Sequence, residues 1–158
     1  MLFRSFQVFA PGLPVVGRVD ETGLVVLDAR GRELWRKQFL AGLTAMSWTL
    51  SERRLWIGDL DGDGRPEVLF AARGIAPAGE DALICYAADG RERWRYVPGR
   101  SVQTSEGSYP PPLSVRALAV TKLGDRMIIA LSSSHYPYAP SQVSLLSGDG
   151  KVLGAPPS

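Results

Sequence analysis

The sequence predicts an all-β fold of short antiparallel strands, and two observations support this prediction. Glycine and proline occur 17 and 12 times among 158 residues and are spread along the chain, which leaves no room for long helices. Apolar, β-rich runs alternate with short turns that end in glycine, as in β-hairpins. With 45% hydrophobic and 22% charged residues, the composition is that of an ordinary folded protein of single-domain size.

A repeat of about 60 residues orders these hairpins along the chain. Residues 24–36, 83–95 and 143–153 align, and each consists of an apolar run, a turn and a second run. The aligned segments predict three copies of one hairpin, the outer two strands of a repeated unit. The turn glycines are 59 and 60 residues apart: Gly31, Gly90 and Gly150.

A second hairpin precedes the last two copies. Residues 54–58 and 66–72 flank an acidic loop, and residues 114–120 and 126–131 flank a shorter loop at 124–125. A complete unit then has four antiparallel strands, which is the plan of one blade of a β-propeller. A generic antiparallel sandwich is the alternative. The expected inner strands carry the small residues that a blade requires: Ala71, Ala72, Ala117, Ala119 and Ala130.

These units predict a partial β-propeller of about two and a half four-stranded antiparallel blades, at residues 6–45 (partial), 46–105 and 106–158. The first blade is partial because uniform spacing places the counterpart of Trp56 before residue 1, which leaves no innermost strand. Since a closed propeller has four or more blades, we expect residues 1–158 to be a single fragment whose remaining blades lie in a parent chain.

The first five residues, Met-Leu-Phe-Arg-Ser, lack the features of a signal peptide. One reading frame of a common sequencing-adapter oligonucleotide encodes Leu-Phe-Arg-Ser. We therefore expect residues 1–5 to be a non-native scar, and a natural N-terminus is the alternative. Apolar stretches such as residues 127–131 are far shorter than the roughly 20 residues that span a bilayer, which predicts no membrane insertion by this segment.

Residues 59–67, the acidic loop, carry the most specific chemical signal in the chain. Asp59, Asp61 and Asp63 stand at positions 1, 3 and 5, and the glycine at position 6 allows a sharp reversal. Hard oxygen ligands at this density suit Ca²⁺. An EF-hand is excluded because its position 12 is Phe70 and the flanking runs are of β type. Glu67 at position 9 closes the ligand set instead, and a solvated turn without a cation is the alternative.

Residues 57–68 resemble the DxDxDGxx(D/E) core of the FG-GAP or VCBS-type repeats of integrin-like propellers. The resemblance implies a structural Ca²⁺ in a loop that joins the two inner strands of a blade. The three hairpins also resemble the outer strands of quinoprotein-like propellers. Residues 121–125 keep a single carboxylate, so we expect one Ca²⁺ in the chain. The implied ligands are the side chains of Asp59, Asp61, Asp63 and Glu67 and the backbone carbonyl of Arg65.

The long, irregular connections predict a second site. Blade topology places residues 73–81, 99–112 and 132–141 on the face opposite the acidic loop, and such loops often bind ligands. Aromatic side chains with a histidine and an arginine suit a protein or saccharide ligand. Packing of the 132–141 loop between blades is the alternative. The candidate ligand face consists of Arg73, Tyr109, His135, Tyr136 and Tyr138.

Three further patterns limit the function. No serine has a histidine and an acid at a recognisable catalytic spacing, and sequence alone does not show whether acids such as Asp81 pair as in a glycosidase. A net charge of +2 gives no basis for a nucleic-acid partner. Trp35 and Trp94 occupy equivalent positions, which favours packing between blades over a sugar platform. Cys85 lies in an apolar run, which predicts a buried, unreactive thiol.

The favoured function is therefore a calcium-stabilised, non-catalytic propeller module that binds a ligand or a protein. We expect it within a larger bacterial-type protein that is extracytoplasmic or on the cell surface. A segment of a propeller enzyme is one alternative, namely a quinoprotein-like dehydrogenase or polysaccharide lyase whose catalytic residues lie outside this chain. A purely structural scaffold is the other.

Overall fold

The computed structural model describes residues 3–4, 12–19, 23–39, 54–72, 81–111, 113–135 and 140–154. These residues form β-strands and turns and contain no helix, so the predicted all-β class is confirmed. The strands are β1 (Phe3–Arg4), β2 (Val16–Val19), β3 (Gly23–Leu27), β4 (Glu33–Gln38), β5 (Leu55–Gly58), β6 (Glu67–Ala72), β7 (Ala82–Tyr86), β8 (Glu92–Tyr96), β9 (Val102–Thr104), β10 (Gly107–Tyr109), β11 (Ser114–Leu123), β12 (Arg126–Ser134), β13 (Ser141–Ser147) and β14 (Val152–Gly154).

Twelve of these strands form three four-stranded antiparallel sheets, each in chain order. We call them the first sheet (β1–β4), the second sheet (β5–β8) and the third sheet (β11–β14). Each strand pairs with the next along the chain, so every sheet is a simple meander. The remaining two strands, β9 and β10, pair as a separate hairpin.

The first sheet differs from the prediction because it has four strands. Phe3 pairs with Gly17 and Arg4 pairs with Val16, which makes β1 the fourth strand of this sheet. The prediction from a uniform repeat spacing was wrong because three residues separate β2 from β3, whereas nine separate β6 from β7. The shorter connection moves β1 and β2 closer to the turn at Gly31. Phe3 and Arg4 belong to residues 1–5, whose origin stays a prediction.

The connection between the second and third sheets was expected to be irregular, and this expectation was wrong for residues 102–109. There β9 and β10 form a hairpin with the register Val102 to Tyr109 and Thr104 to Gly107. Most of its side chains are exposed, so its polar sequence lacks the apolar alternation that marks a buried strand.

The three aligned hairpins have the same turn. In each, the turn glycine has a positive φ, between 76° and 84°, and donates its N–H to the carbonyl three residues earlier at 2.9 Å. The residue that accepts this bond donates its own N–H to the carbonyl four residues later, at 2.8 to 2.9 Å. Glycine suits this turn because other residues strain at positive φ. The turn glycines are Gly31, Gly90 and Gly150.

The second sheet lies between the other two and is covered on both faces. On β7, Ile84 and Tyr86 pack in a cluster with the first sheet, whereas Leu83 and Cys85 pack in a cluster with the third. All residues of β6 and β7 are buried, which explains their continuous apolar runs. The apolar core therefore consists of two layers, one on each side of the second sheet.

Two tryptophans connect neighbouring sheets in the same way. Trp35 of the first sheet donates its Nε1–H to the Ala88 carbonyl at 2.9 Å, and its ring covers Gly90. Trp94 of the second sheet donates to the Gly148 carbonyl at 3.1 Å, and its ring covers Gly150. The predicted packing role of both residues is confirmed. The third sheet has Gly154 at this position, since Gly154 pairs with Leu145 as Trp94 pairs with Cys85.

We expect the Cys85 thiol to be unreactive in the folded chain. It is fully buried, and burial raises the pKa of Cys85 from 9.0 to about 12. Because the folded state favours the neutral thiol, its contribution to stability is present below pH 9 and is lost as the pH rises towards 12. Ellman's reagent at pH 8 should label less than one tenth of the chains before unfolding, and one thiol per chain in denaturant. Rapid labelling of the native chain would show that the layer between the second and third sheets opens readily.

Candidate metal site and ligand face

The acidic loop joins β5 to β6 at one end of the second sheet. Pairing of Gly58 with Glu67 closes the base of the loop, and Gly62 and Gly64 turn the chain with φ of 82°. Leu60 is only 4% exposed and packs in the layer between the second and third sheets. A Cβ at Gly148 would lie 3.0 Å from the Leu60 carbonyl oxygen, so the β13–β14 turn lies against the loop. The loop is therefore anchored on both sheets.

Backbone N–H groups orient the carboxylates of the loop. Asp59 accepts hydrogen bonds from Gly62 at 2.7 Å and Gly64 at 2.9 Å. Glu67, the first residue of β6, accepts one from the Leu60 N–H at 2.9 Å. These bonds hold the Asp59 and Glu67 side chains in fixed orientations, because hydrogen bonds to a charged acceptor are stronger than those between neutral groups.

Three of the four predicted carboxylates converge. One oxygen each of Asp59, Asp61 and Glu67 lie within 4.8 Å of one another. Oxygens that ligate one Ca²⁺ at 2.3 to 2.6 Å are at most about 5 Å apart, so this spacing fits a calcium site. Asp63 is outside this group and accepts the Arg65 N–H at 2.7 Å. Ligation of Ca²⁺ by Asp59, Asp61 and Glu67, as well as by Asp63 and the Arg65 carbonyl, stays a prediction.

Arg93 also belongs to this site, although the sequence analysis did not include it. Its Nη1 donates to Asp61 Oδ2 and to Glu67 Oε1, both at 2.7 Å. Arg93 lies on β8, so β-sheet pairing brings it beside residues that are 26 and 32 positions away in the chain. A signal existed in the aligned hairpins, where the same position carries Leu34 in the first copy and Leu153 in the third.

The environment shifts two of these carboxyl groups in opposite directions. Burial opposes ionisation of Asp61, yet hydrogen bonds from Arg93 and the Asp63 N–H outweigh it and hold the pKa of Asp61 below its ordinary value. Burial raises the pKa of Glu67 above its ordinary value, against the Leu60 hydrogen bond and the Arg93 charge. A buried carboxylate such as Glu67 requires a cation or several donors to remain ionised.

The structure brings two residues of the candidate ligand face together. The rings of Tyr109 and His135 contact edge to face, with centroids 5.5 Å apart and planes at 66°. His135 donates its backbone N–H to the Pro140 carbonyl at 3.0 Å, which closes the base of the β12–β13 connection. His135 and Tyr109 are both half-buried. The other three residues of this face lie outside the described residues: Arg73, Tyr136 and Tyr138.

The two candidate sites lie at opposite ends of the third sheet. The β13–β14 turn contacts the acidic loop through Gly148, whereas His135 follows β12 at the β12–β13 connection. In an antiparallel meander, successive connections alternate between the two ends, so these positions are separated by the length of the strands. A cavity of about 200 Å³ lies elsewhere and is lined by Tyr96, Gly99 and Arg100 and by residues of β13 and β14, without Tyr109 or His135.

Asp81 is buried where the second sheet meets the third. It is 6% exposed, and its Oδ2 accepts the Val115 N–H at 2.9 Å. Arg54, 4% exposed, donates from Nη2 to the Val115 carbonyl. Arg54, directly before β5, and Asp81, directly before β7, thus hold β11 of the third sheet at Val115.

Comparisons with known proteins identify no family for the chain. No family model matches it, and neither the curated proteins nor the solved structures yield a match. The resemblance to FG-GAP or VCBS-type repeats therefore stays a prediction. Among the described residues, the structure has no helix with the length and apolar character needed to cross a membrane.

Proposed function

We propose that this chain is a segment of a β-propeller of FG-GAP or VCBS-type repeats, stabilised by one Ca²⁺ in the acidic loop. The observation that carries this proposal is the convergence of Asp59, Asp61 and Glu67 in a loop that joins the first two strands, β5 and β6, of a four-stranded meander. Carboxylate oxygens are the ligands that Ca²⁺ prefers. The bound ion would neutralise charges that otherwise repel one another across the loop.

The sheet arrangement supports a propeller. Successive sheets stack face to face in chain order, and the same tryptophan contact connects the first to the second and the second to the third. On the third sheet, Val143 is 48% exposed and Leu145 is 41% exposed. Their counterparts on β7, Leu83 and Cys85, are fully buried under the next sheet. We propose that a further blade of the same kind covers Val143 and Leu145.

The ligand face supports a binding role at the end opposite the calcium. The contact between Tyr109 and His135 joins two separate connections into one surface, to which Arg73, Tyr136 and Tyr138 are proposed to belong. Aromatic rings with polar edges suit a protein or saccharide ligand. We propose a non-catalytic module of a larger exported or cell-surface protein, where millimolar calcium would saturate even a weak site.

Calcium should raise the thermal stability of the wild-type chain, and Asp61→Ala should abolish this gain. At a calcium concentration about 100 times Kd, the ion would stabilise the fold by about 2.7 kcal/mol. Asp61→Ala removes one of the converging oxygens, whereas the control Asp125→Ala removes the single carboxylate of the corresponding loop in the third sheet. Thermal unfolding in calcium and in chelator measures the gain. A wild-type chain whose Tm is the same in both buffers would refute the calcium proposal.

A further inference from the structure

Arg93 occupies the space between two of the proposed calcium ligands. A single nitrogen, Nη1, lies 2.7 Å from both Asp61 Oδ2 and Glu67 Oε1. The Glu67 side chain is 3% exposed, so its charge has little access to water and depends on neighbouring groups. The guanidinium thus supplies a positive charge beside two carboxylates of the acidic loop.

The other two sheets show that this arginine accompanies the carboxylate. Sheet register aligns Glu67 with Val15 in the first sheet and with Ile128 in the third. Each of these three residues comes directly before the residue of the second strand that pairs with the same aligned position of the third strand. The position of Arg93 is held by Leu34 in the first hairpin and Leu153 in the third. An apolar residue therefore replaces Arg93 wherever one replaces Glu67.

We propose that the Arg93 guanidinium and a divalent cation are alternative occupants of the acidic loop. This inference rests on the proposed calcium binding. A cation ligated by both Asp61 and Glu67 would share their oxygens with Arg93, and two positive charges a few ångströms apart repel each other in a partly buried site. Calcium binding then requires Arg93 to leave Glu67, so Arg93 weakens calcium affinity and stabilises the metal-free loop.

Replacing Arg93 with leucine, the residue found at the aligned positions, tests this exchange. The control is Arg95→Leu on the same strand, since Arg95 pairs with Glu92 at 2.9 Å and not with the acidic loop. Calorimetric titration of the full chain with Ca²⁺ should give about tenfold tighter binding for Arg93→Leu than for wild type, which is typical of two coupled ligands. Arg95→Leu should bind as wild type. In chelator, Arg93→Leu should have a lower Tm than Arg95→Leu.

The outcomes separate this inference from the proposed function. Equal calcium affinity in Arg93→Leu and wild type would overturn the exchange but leave the calcium site intact. If the Arg93→Leu chain bound calcium and the wild-type chain did not, the result would support the exchange and show that the native chain uses Arg93 instead of calcium. No binding by either chain would overturn both proposals. A metal-free Tm that is lower in Arg95→Leu than in Arg93→Leu would contradict the stabilising role of Arg93.

Discussion

Replacing Gly90 with alanine is expected to lower the free energy of unfolding by about 3 kcal/mol, which combines backbone strain with overpacking. Gly90 has a φ of 84°, and a Cβ there would lie 2.8 Å from Cδ2 of Trp35. Trp35 is held by its hydrogen bond to Ala88 and by its contact with Tyr86, whose ring centroid is 5.5 Å away. The ring therefore has little room to move, and the contact between the first and second sheets should weaken.

Gly31→Ala is the matched control for this prediction. Gly31 occupies the same turn in the first sheet with a φ of 76°, but no atom lies within 4 Å of an added Cβ. Its substitution should cost only the backbone strain, about 1 kcal/mol. Urea unfolding of both variants measures the difference. Equal losses of unfolding free energy in the two variants would show that the contact with Trp35 places no constraint on position 90.

Replacing Asp81 with alanine is expected to cost about 3 kcal/mol, because a buried backbone donor loses a charged acceptor. The Val115 N–H would be left without its 2.9 Å bond to Asp81, and the buried Arg54 nearby would lose a compensating negative charge. This region holds β11 against the second sheet, so the third sheet should be the part that loosens. Hydrogen exchange of the β11 and β12 amides should increase more than that of β7.

Asp89→Ala is the control for Asp81. Asp89 is exposed in the β7–β8 turn, where its Oδ1 accepts the Arg91 N–H at 2.9 Å. Loss of an exposed turn bond should cost about 0.5 kcal/mol, since water replaces the acceptor. If Asp81→Ala were no more destabilising than Asp89→Ala, the inference that buried charges anchor Val115 would be wrong.

The sequence predicted local features more reliably than contacts between distant residues. Positive-φ glycines and alternating apolar runs are local, so the three hairpin turns and the acidic loop could be found directly. Trp35 and Trp94 were assigned to packing because they share a position in the aligned hairpins. The turn and loop predictions depend on neighbours a few residues apart, where backbone geometry is decisive, whereas the tryptophan prediction depends on the alignment of the hairpins.

The failures have specific physical causes. The pairing of Phe3 with Gly17 depends on a connection six residues shorter than its counterpart, which a uniform period does not anticipate. Arg93 reaches the acidic loop only because β8 pairs with β7, which in turn pairs with β6. The hairpin at 102–109 is exposed and polar, so it carries no apolar pattern. Connection length and sheet register, rather than residue type, decide these features.

A crystal structure of the chain in millimolar calcium, with anomalous scattering measured at long wavelength, would show directly whether Ca²⁺ binds in the acidic loop. We expect one anomalous peak in the acidic loop, from an ion ligated at about 2.3 to 2.6 Å by oxygens of Asp59, Asp61 and Glu67, with Arg93 displaced from Glu67. A loop without an anomalous peak, in which Arg93 still binds both Asp61 and Glu67 in millimolar calcium, would contradict the proposed calcium site.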